Sequence, residues 1–231
     1  MSDDVAVFTS VLKALEDVGI LSDLVIVGGW AQHLYRRYFN NPPELSALRT
    51  MDIDILFARP PVIRPQGNLE ETLRIIGFRR DFAADGSTKF ISREVEIEFL
   101  IPDQGQGDVE PYPIKELAIR AQSLHLVGML IEDPIEVPYD RHRVKVPDPI
   151  RFCFHKLLVS KRRDKQEKRE KDLMTGFELA TLLSRLPKWR ELIPDRFYEL
   201  SRKQRIVVLS LLKERDNPVA TIIRPQFRST K

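Results

Sequence analysis

The segments LVIVGGWA (residues 24–31) and DIDILF (residues 52–57) decide the fold of this chain. The first is a run of four apolar residues that ends at a glycine pair, a pattern typical of a short buried strand followed by a turn. The second alternates apolar residues with Asp52 and Asp54, which is the periodicity of a strand with one acidic face. The sequence therefore predicts two strands, connected by a Gly-Gly turn and a helix that extends to Tyr38.

The glycine pair Gly28-Gly29 has a chemical and a structural interpretation. Glycine lets the backbone approach a ligand closely, and the N–H groups at the start of the following helix can bind a phosphate group. Many turns between a strand and a helix also contain glycine for packing reasons alone. Both interpretations stay open from the sequence.

Asp52 and Asp54 are the candidate metal ligands. Residues two apart on a strand point to the same face and lie about 6–7 Å apart, so a magnesium ion can bridge their carboxylates at about 2.0–2.1 Å from each oxygen. Aspartate is disfavoured in strands, and two neighbouring carboxylates repel each other unless a cation or solvent compensates them. The alternative interpretation is a solvent-exposed acidic face without a ligand.

A third carboxylate would complete a two-metal phosphoryl-transfer site, in which one ion binds the phosphates and the other lowers the pKa of the attacking hydroxyl. The predicted strand Val95–Ile101 carries Glu96 and Glu98 on the face opposite to its apolar residues. If this strand lies beside the strand at 52–57, one of the two glutamates reaches the aspartates. We favour Glu98, which lies nearer the C-terminal end of its strand, and keep Glu96 as the alternative.

Charge is distributed unevenly along the 231 residues, although the formal net charge is only +3. Residues 1–140 have 13 Lys and Arg against 23 Asp and Glu, a net charge of −10, whereas residues 141–231 have 24 against 11, a net charge of +13. Such asymmetry indicates two functional parts, the basic one suited to an anionic partner. Strands alternate with helices in the first part and helices dominate the second, which predicts a domain at 1–146 and a helical domain at 147–231.

Composition excludes several classes of protein. The hydrophobic fraction of 42% and the scattered 10 Gly and 16 Pro are unlike low-complexity disorder. No stretch approaches the roughly 20 apolar residues of a membrane span, and Asp3 and Asp4 are unlike the basic start of a secretory signal. The single Cys153 excludes an internal disulfide and a structural zinc site of the usual spacing. We therefore expect a cytoplasmic protein with no membrane partner and with Cys153 in its core.

Three segments resemble the nucleotidyltransferase superfamily, which has the polymerase-beta-like fold. They are Gly28–Ala31, Arg49–Asp54 and Val95–Leu100. The first two are particularly similar to the aminoglycoside and lincosamide nucleotidyltransferases, and abortive-infection toxin-like enzymes share the wider pattern. The resemblance covers about residues 20–101. It implies an α+β fold, with a mixed sheet flanked by helices in a catalytic domain that precedes a helical domain.

The resemblance also implies an activity, namely the transfer of a nucleoside monophosphate from an NTP such as ATP to a hydroxyl group, with Mg²⁺ or Mn²⁺ and with release of pyrophosphate. Asp52, Asp54 and Glu98 match the catalytic, metal-binding acidic positions. The residues that match NTP-binding positions are Gly28, Gly29, Arg49, Thr50 and Lys156. The chain departs from the family pattern in three ways: Gly-Gly replaces Gly-Ser, glutamate replaces the third aspartate, and a long connection separates Gly29 from Asp52.

The basic second half has two interpretations. Its charged run Lys161–Lys171 can contact a triphosphate or a polyanionic acceptor, or it can form a solvated helix in which Asp164–Lys168 and Glu167–Lys171 pair at i,i+4 spacing. Lys156, together with Lys171-Asp172, resembles the helical lysine and Lys-Asp pair of toxin-like relatives. Arg49 likewise either binds phosphate or pairs with the acidic sheet face.

Three functions remain in competition at this stage. The leading hypothesis is an enzyme whose acceptor is a small hydroxylated molecule, an RNA end or a protein hydroxyl. The second is a catalytically inactive nucleotide-sensing or interaction module on the same fold. The third, a nucleic-acid-binding helix-turn-helix within residues 150–215, explains the positive charge but gives Asp52 and Asp54 no role.

Overall fold

The computed structural model describes residues 3–47, 50–93, 95–105 and 110–223, which form two compact units. Unit 1 consists of Met1–Asn40 and Ala47–Asp148, and unit 2 consists of Asn41–Ser46 and Pro149–Lys231. The elements of unit 1, in chain order, are α1 (Asp3–Asp17), β1 (Leu24–Val27), α2 (Gly28–Tyr38), β2 (Asp52–Phe57), α3 (Leu69–Ile75), β3 (Arg79–Phe82), β4 (Thr88–Ser92), β5 (Val95–Pro102), β6 (Tyr112–Ile114), β7 (Ile119–Leu124), β8 (Ile135–Tyr139) and β9 (His142–Val146).

A mixed sheet forms the centre of unit 1, as the α+β fold class predicts. Its strand order is β1-β2-β5-β4-β3, with β7 beside the end of β5 and β6 beside β7, while β8 and β9 form a separate hairpin. Strand β2 is antiparallel to β1 and parallel to β5, and β4 is antiparallel to both β5 and β3. The two strands that carry the predicted acidic residues are therefore direct neighbours.

Alternation along β2 and β5 separates a buried face from an acidic one. Ile53, Ile55 and Ile97 are fully buried, whereas Glu96 and Glu98, on the opposite face of β5, are half-buried. Helices cover the apolar faces, and the ring of Phe8 on α1 stacks on that of Trp30 on α2 with a centroid distance of 3.8 Å. Burial of these apolar side chains is the main contribution to the stability of unit 1.

Residues 112–146 hold four strands that the sequence patterns do not predict. Strand β6 contains Pro113 and β8 contains Pro138, and proline is disfavoured in strands because it cannot donate a ladder hydrogen bond. The strands are also only three to six residues long, which leaves little periodicity to detect.

Unit 2 consists of helices and a short strap, Asn41–Ser46, from the connection between α2 and β2. Glu178 accepts hydrogen bonds from the backbone N–H and the hydroxyl of Ser46, and Arg185 pairs with Glu44, so the strap is held on the helix that carries Glu178. The helices are α4 (Pro149–Ser160), α5 (Gln166–Arg185), α6 (Pro187–Glu199), α7 (Arg202–Glu214) and α8 (Val219–Ile222). Among the described residues, no helix combines the length and apolar character that a membrane crossing requires.

Helices α4 and α5 pack closely at Gly176. A Cβ atom at this position would lie 2.7 Å from Cδ2 and 2.9 Å from Cγ of Leu157. The Cys153 thiol donates to the Gly176 carbonyl at 3.1 Å, and burial raises the pKa of that thiol well above its usual value. Cys153 is therefore a core residue rather than a nucleophile.

We expect Gly176→Ala to destabilise the protein by about 1–3 kcal/mol, because the added methyl group overlaps Leu157. At an open helical position the same change would stabilise by about 1 kcal/mol. Urea denaturation followed by circular dichroism measures the difference. Met174→Ala, at a half-exposed position on the same helix, is the control. Increased stability of Gly176→Ala would contradict the close packing.

Candidate active site

Asp54 lies directly against the turn between β1 and α2. Val27, the last residue of β1, is the register partner of Asp54, and Gly28 follows in a left-handed conformation with φ of +64°. A Cβ atom at Gly28 would lie 1.8 Å from Oδ2 of Asp54, closer than any real contact. Only glycine fits here, because both the backbone conformation and the neighbouring carboxylate exclude a side chain.

The second glycine has a similar neighbour. A Cβ atom at Gly29 would lie 2.6 Å from both Cβ and Oγ1 of Thr50, which precedes β2. Helix α2 starts at this turn. Its N-cap residue, Val27, has no side-chain oxygen that could accept a hydrogen bond from the N–H groups of the first turn. The glycine pair thus makes room for Asp54 and Thr50, which is its packing role, and phosphate binding at the start of α2 stays a prediction.

The glutamates of β5 lie beside the aspartates of β2. In this parallel pair Asp52 is the register partner of Glu96, and Asp54 is that of Glu98, so the four side chains share one face. The structure thus brings together Gly28, Gly29, Thr50, Asp52, Asp54 and Glu98. Arg49 lies outside the described residues.

The glutamate carboxylates have a partner that the sequence patterns did not indicate. Nζ of Lys89, on β4, lies 2.9 Å from Oε2 of Glu96 and 3.2 Å from Oε1 of Glu98. The hydrogen bond to Glu96, aided by Glu98, raises the pKa of Lys89 above its usual value despite partial burial. Pairing β4 with β5 as neighbouring antiparallel strands would have placed Lys89 opposite Glu98, and this register is the signal that could have found it.

The acidic residues fit a divalent cation in part. Asp52 and Asp54 offer hard oxygen ligands on one face, which is the chemistry that Mg²⁺ prefers. In the described part of the chain, however, no three side chains of His, Cys, Asp or Glu are arranged so that they could hold a metal ion. The aspartate pair suits magnesium, whereas Glu98 is directed to Lys89.

Lys156 takes part in a buried ion-pair network within unit 2. Its Nζ lies 2.7 Å from Oδ1 of Asp172, and Nε of Arg163 lies 2.8 Å from Oδ2 of the same carboxylate, whose side chain is 5% exposed. Burial alone would raise the pKa of Asp172, but the charges and hydrogen bonds of Lys156 and Arg163 outweigh it and hold the pKa below its usual value. The structure thus joins Lys156 to Asp172, and phosphate binding by Lys156 stays a prediction.

The charged run at 161–171 is interrupted rather than one helix. Helix α4 ends at Ser160 and α5 begins at Gln166, and all residues of the run are exposed. Within this described segment neither predicted i,i+4 ion pair forms, and Gln166 donates to Glu170 instead. The run is therefore solvated, as one interpretation of the sequence holds, but it lacks the predicted salt bridges.

Comparisons with known proteins give a family match and a fold match. The family model described as Nucleotidyltransferase matches residues 7–191. The crystal structure of an antigenic nucleotidyltransferase-like protein from Paracoccidioides brasiliensis is 15% identical and covers 96% of this chain and 93% of its own, with a TM-score of 0.54. A crystal structure of ANT(2″)-Ia in complex with adenylyl-2″-tobramycin is 14% identical and covers 93% and 99%, with a TM-score of 0.48. Among curated protein sequences, none matches.

We expect Gly28→Ala to destabilise the protein more than Gly86→Ala does. Both glycines have positive φ, +64° and +82°, so both variants carry the cost of about 1–2 kcal/mol for a left-handed alanine. Only Gly28 has a carboxylate in the way, since Gly86 has open space around it, and displacement of Asp54 adds about 1–3 kcal/mol. Urea denaturation of the two variants measures this difference. Equal losses would show that Asp54 moves away freely.

The buried His155 makes stability dependent on pH. Both of its ring nitrogens are buried without a hydrogen-bond partner, and burial, aided by Lys156, lowers its pKa from 6.5 to about 3. His155 is protonated near pH 6.5 in the unfolded chain, but only near pH 3 in the folded protein. The contribution of neutral His155 to the free energy of unfolding is therefore present above pH 6.5 and is lost as the pH falls toward 3.

Between pH 7 and pH 5 the free energy of unfolding of the natural protein should fall. We expect it to fall by about 1–2 kcal/mol less in His155→Phe, which has no imidazole at this position. Urea denaturation at the two pH values measures the loss. His125→Gln, which changes an exposed imidazole, is the control. An unchanged pH dependence in His155→Phe would mean that His155 is protonated in the folded state.

Proposed function

Because this chain belongs to the nucleotidyltransferase family, we propose that it transfers a nucleoside monophosphate from an NTP to a hydroxyl group and releases pyrophosphate. The observation that supports this activity most directly is the contact between Asp54 and Gly28 at the start of α2. This contact lies where α2 begins, and the backbone N–H groups at the start of a helix suit a phosphate chain.

In this proposal, different residues of the chain bind the phosphates and the metal ion. The N–H groups that follow Gly28 and Gly29 bind phosphate oxygens, and Thr50 lies beside them. Asp52 and Asp54 would hold Mg²⁺ or Mn²⁺, and Glu98 is the third acidic residue of the proposed site. The chemistry that the bound metal supplies is neutralisation of phosphate charge and a lower pKa for the acceptor hydroxyl. We propose Arg49 and Lys156 as further ligands of the NTP, with ATP as the first NTP to test.

The proposed reaction is a substitution at the α-phosphorus. The acceptor oxygen forms a bond to this phosphorus while the bond to the bridging oxygen breaks, and the electron pair leaves with pyrophosphate. The proton of the acceptor hydroxyl passes to a carboxylate of the site or to solvent. Positioning and charge compensation are the main contributions of the protein to such a step.

The acceptor is a small hydroxylated molecule, an RNA end or a protein hydroxyl. The net charge of +13 over residues 141–231 favours an anionic acceptor such as RNA. We place the reaction in the cytoplasm, since the single cysteine is buried and contributes no disulfide.

Incubation with magnesium, each α-labelled NTP and the three classes of acceptor is expected to release pyrophosphate and label one acceptor. We expect Asp52→Asn and Asp54→Asn each to lower the rate at least about 10²-fold, because each removes a charged ligand from the proposed metal pair. Asp140→Asn is the control, since Asp140 lies in the β8–β9 turn with φ of +53°, a conformation that asparagine tolerates.

The outcomes separate the two functions that the fold permits. If the protein binds NTP but releases no pyrophosphate with any of the acceptors, the nucleotide-sensing module is favoured over the enzyme. Full activity in both Asp52→Asn and Asp54→Asn would contradict the assignment of the site.

A further inference from the structure

The start of α7 carries cations where a helix disfavours them. A capping box between Ser201 and Gln204 fixes the first residue of the helix. Arg202 and Lys203 therefore occupy its first two positions and Arg205 the fourth, and the first turn has no acidic residue. Because the helix dipole places partial positive charge at this end, cations here lower the stability of the helix. A ligand with negative charge would remove this penalty.

These cations are not neutralised within the described part of the chain. Arg202 and Lys203 are exposed, and among the described residues neither they nor Arg205 form an ion pair. On the preceding helix, by contrast, Arg196 pairs with Glu199 at 2.9 Å. The positive charge at the start of α7 is therefore available to an external partner.

An exposed aromatic ring lies beside these cations. Tyr198, near the end of α6, is 49% exposed, and Cζ of Arg205 lies 5.6 Å from the centre of its ring. The buried ring of Phe197 supports it from the side, in an edge contact with a centroid distance of 5.6 Å. An aromatic ring next to a guanidinium group is a platform on which unpaired nucleic-acid bases stack.

We propose that a surface at the junction of α6 and α7 binds a single-stranded segment of RNA; this α6–α7 surface consists of Tyr198, Arg202, Lys203 and Arg205. Phosphate groups bind Arg202 and Lys203, and a base stacks on Tyr198. The inference deepens the proposed function and rests on it for the use of the bound RNA as acceptor. It selects RNA from the three classes of acceptor that the proposed function allows.

The chemistry of the α6–α7 surface favours single-stranded RNA over other anionic partners. Double-stranded RNA keeps its bases stacked within the helix and would leave the ring of Tyr198 unused. A helix that lies on an anionic membrane needs a broad apolar face. Among the described residues of α7, Ile206 is the one large apolar side chain that is strongly exposed.

The test is binding of a fluorescein-labelled single-stranded RNA of about 16 nucleotides to the full chain without NTP, measured by fluorescence anisotropy at several salt concentrations. We expect the double variant Arg202→Gln/Lys203→Gln to bind at least about tenfold more weakly at physiological salt. The slope of log affinity against log salt should fall by about 1.4, since each phosphate contact on a single strand contributes about 0.7.

The matched control removes the same charge elsewhere. Arg141→Gln/Arg143→Gln changes two exposed cations at the β8–β9 hairpin and is expected to stay within about twofold of the natural affinity. The double variant in α7 is also expected to raise the urea midpoint of unfolding, because two cations leave the positive end of the helix. Weaker RNA binding by a more stable protein excludes misfolding as the cause.

Substitution of Tyr198 separates base stacking from charge. Tyr198→Ala is expected to bind single-stranded RNA at least about fivefold more weakly, whereas Tyr198→Phe keeps the ring and stays within about twofold. Binding of duplex RNA of the same length should respond to the double variant but not to Tyr198→Ala. Natural affinity for single-stranded RNA in Tyr198→Ala, or an equal loss in the hairpin control, would overturn the inference. Tighter binding to phosphatidylserine vesicles than to the RNA would also overturn it.

These measurements are independent of the proposed reaction, because no NTP is present. RNA binding at the α6–α7 surface without pyrophosphate release would contradict the enzyme and leave the inference standing. Pyrophosphate release with a small acceptor, in a protein that does not bind the RNA, would overturn the inference and leave the enzyme standing.

Discussion

The carboxylate of Asp54 lies so close to the backbone of Gly28 that no side chain fits between them. Three features of unit 1 meet at this contact. The antiparallel register of β1 and β2 places Asp54 at the end of β1, the left-handed φ of Gly28 turns the chain, and α2 starts there without a side-chain cap. The same small space thus joins an acidic group to the donor end of a helix. Each part would be ordinary alone, and their adjacency gives the site its chemistry.

The acidic face shows how a sheet can tolerate several carboxylates. Four of them, on β2 and β5, share this face, and Lys89 binds the two on β5. On β2, Asp54 lies at the glycine turn. Part of the negative charge on this face is therefore compensated within the protein by Lys89.

Much of this arrangement could be predicted from sequence, because it depends on local periodicity. Alternation identified β2 and β5, and the glycine pair marked the start of α2. Strands β6 and β8 could not be found in this way, since Pro113 and Pro138 disturb the pattern that reveals a strand. The direction of the Glu98 carboxylate depends on the register of β4 against β5, which the periodicity of a single strand does not specify and which only the pairing of the two strands reveals.

The strap at Asn41–Ser46 has a consequence for the history and engineering of this chain. The polypeptide enters unit 2 at residue 41, returns to unit 1 at residue 47 and leaves again at residue 149. A genetic exchange that cuts at 148 would separate Glu178 and Arg185 from Ser46 and Glu44, their partners in the strap. An exchange of the helical half that leaves the six-residue segment behind would therefore lose these contacts, so the segment belongs with that half in any recombinant.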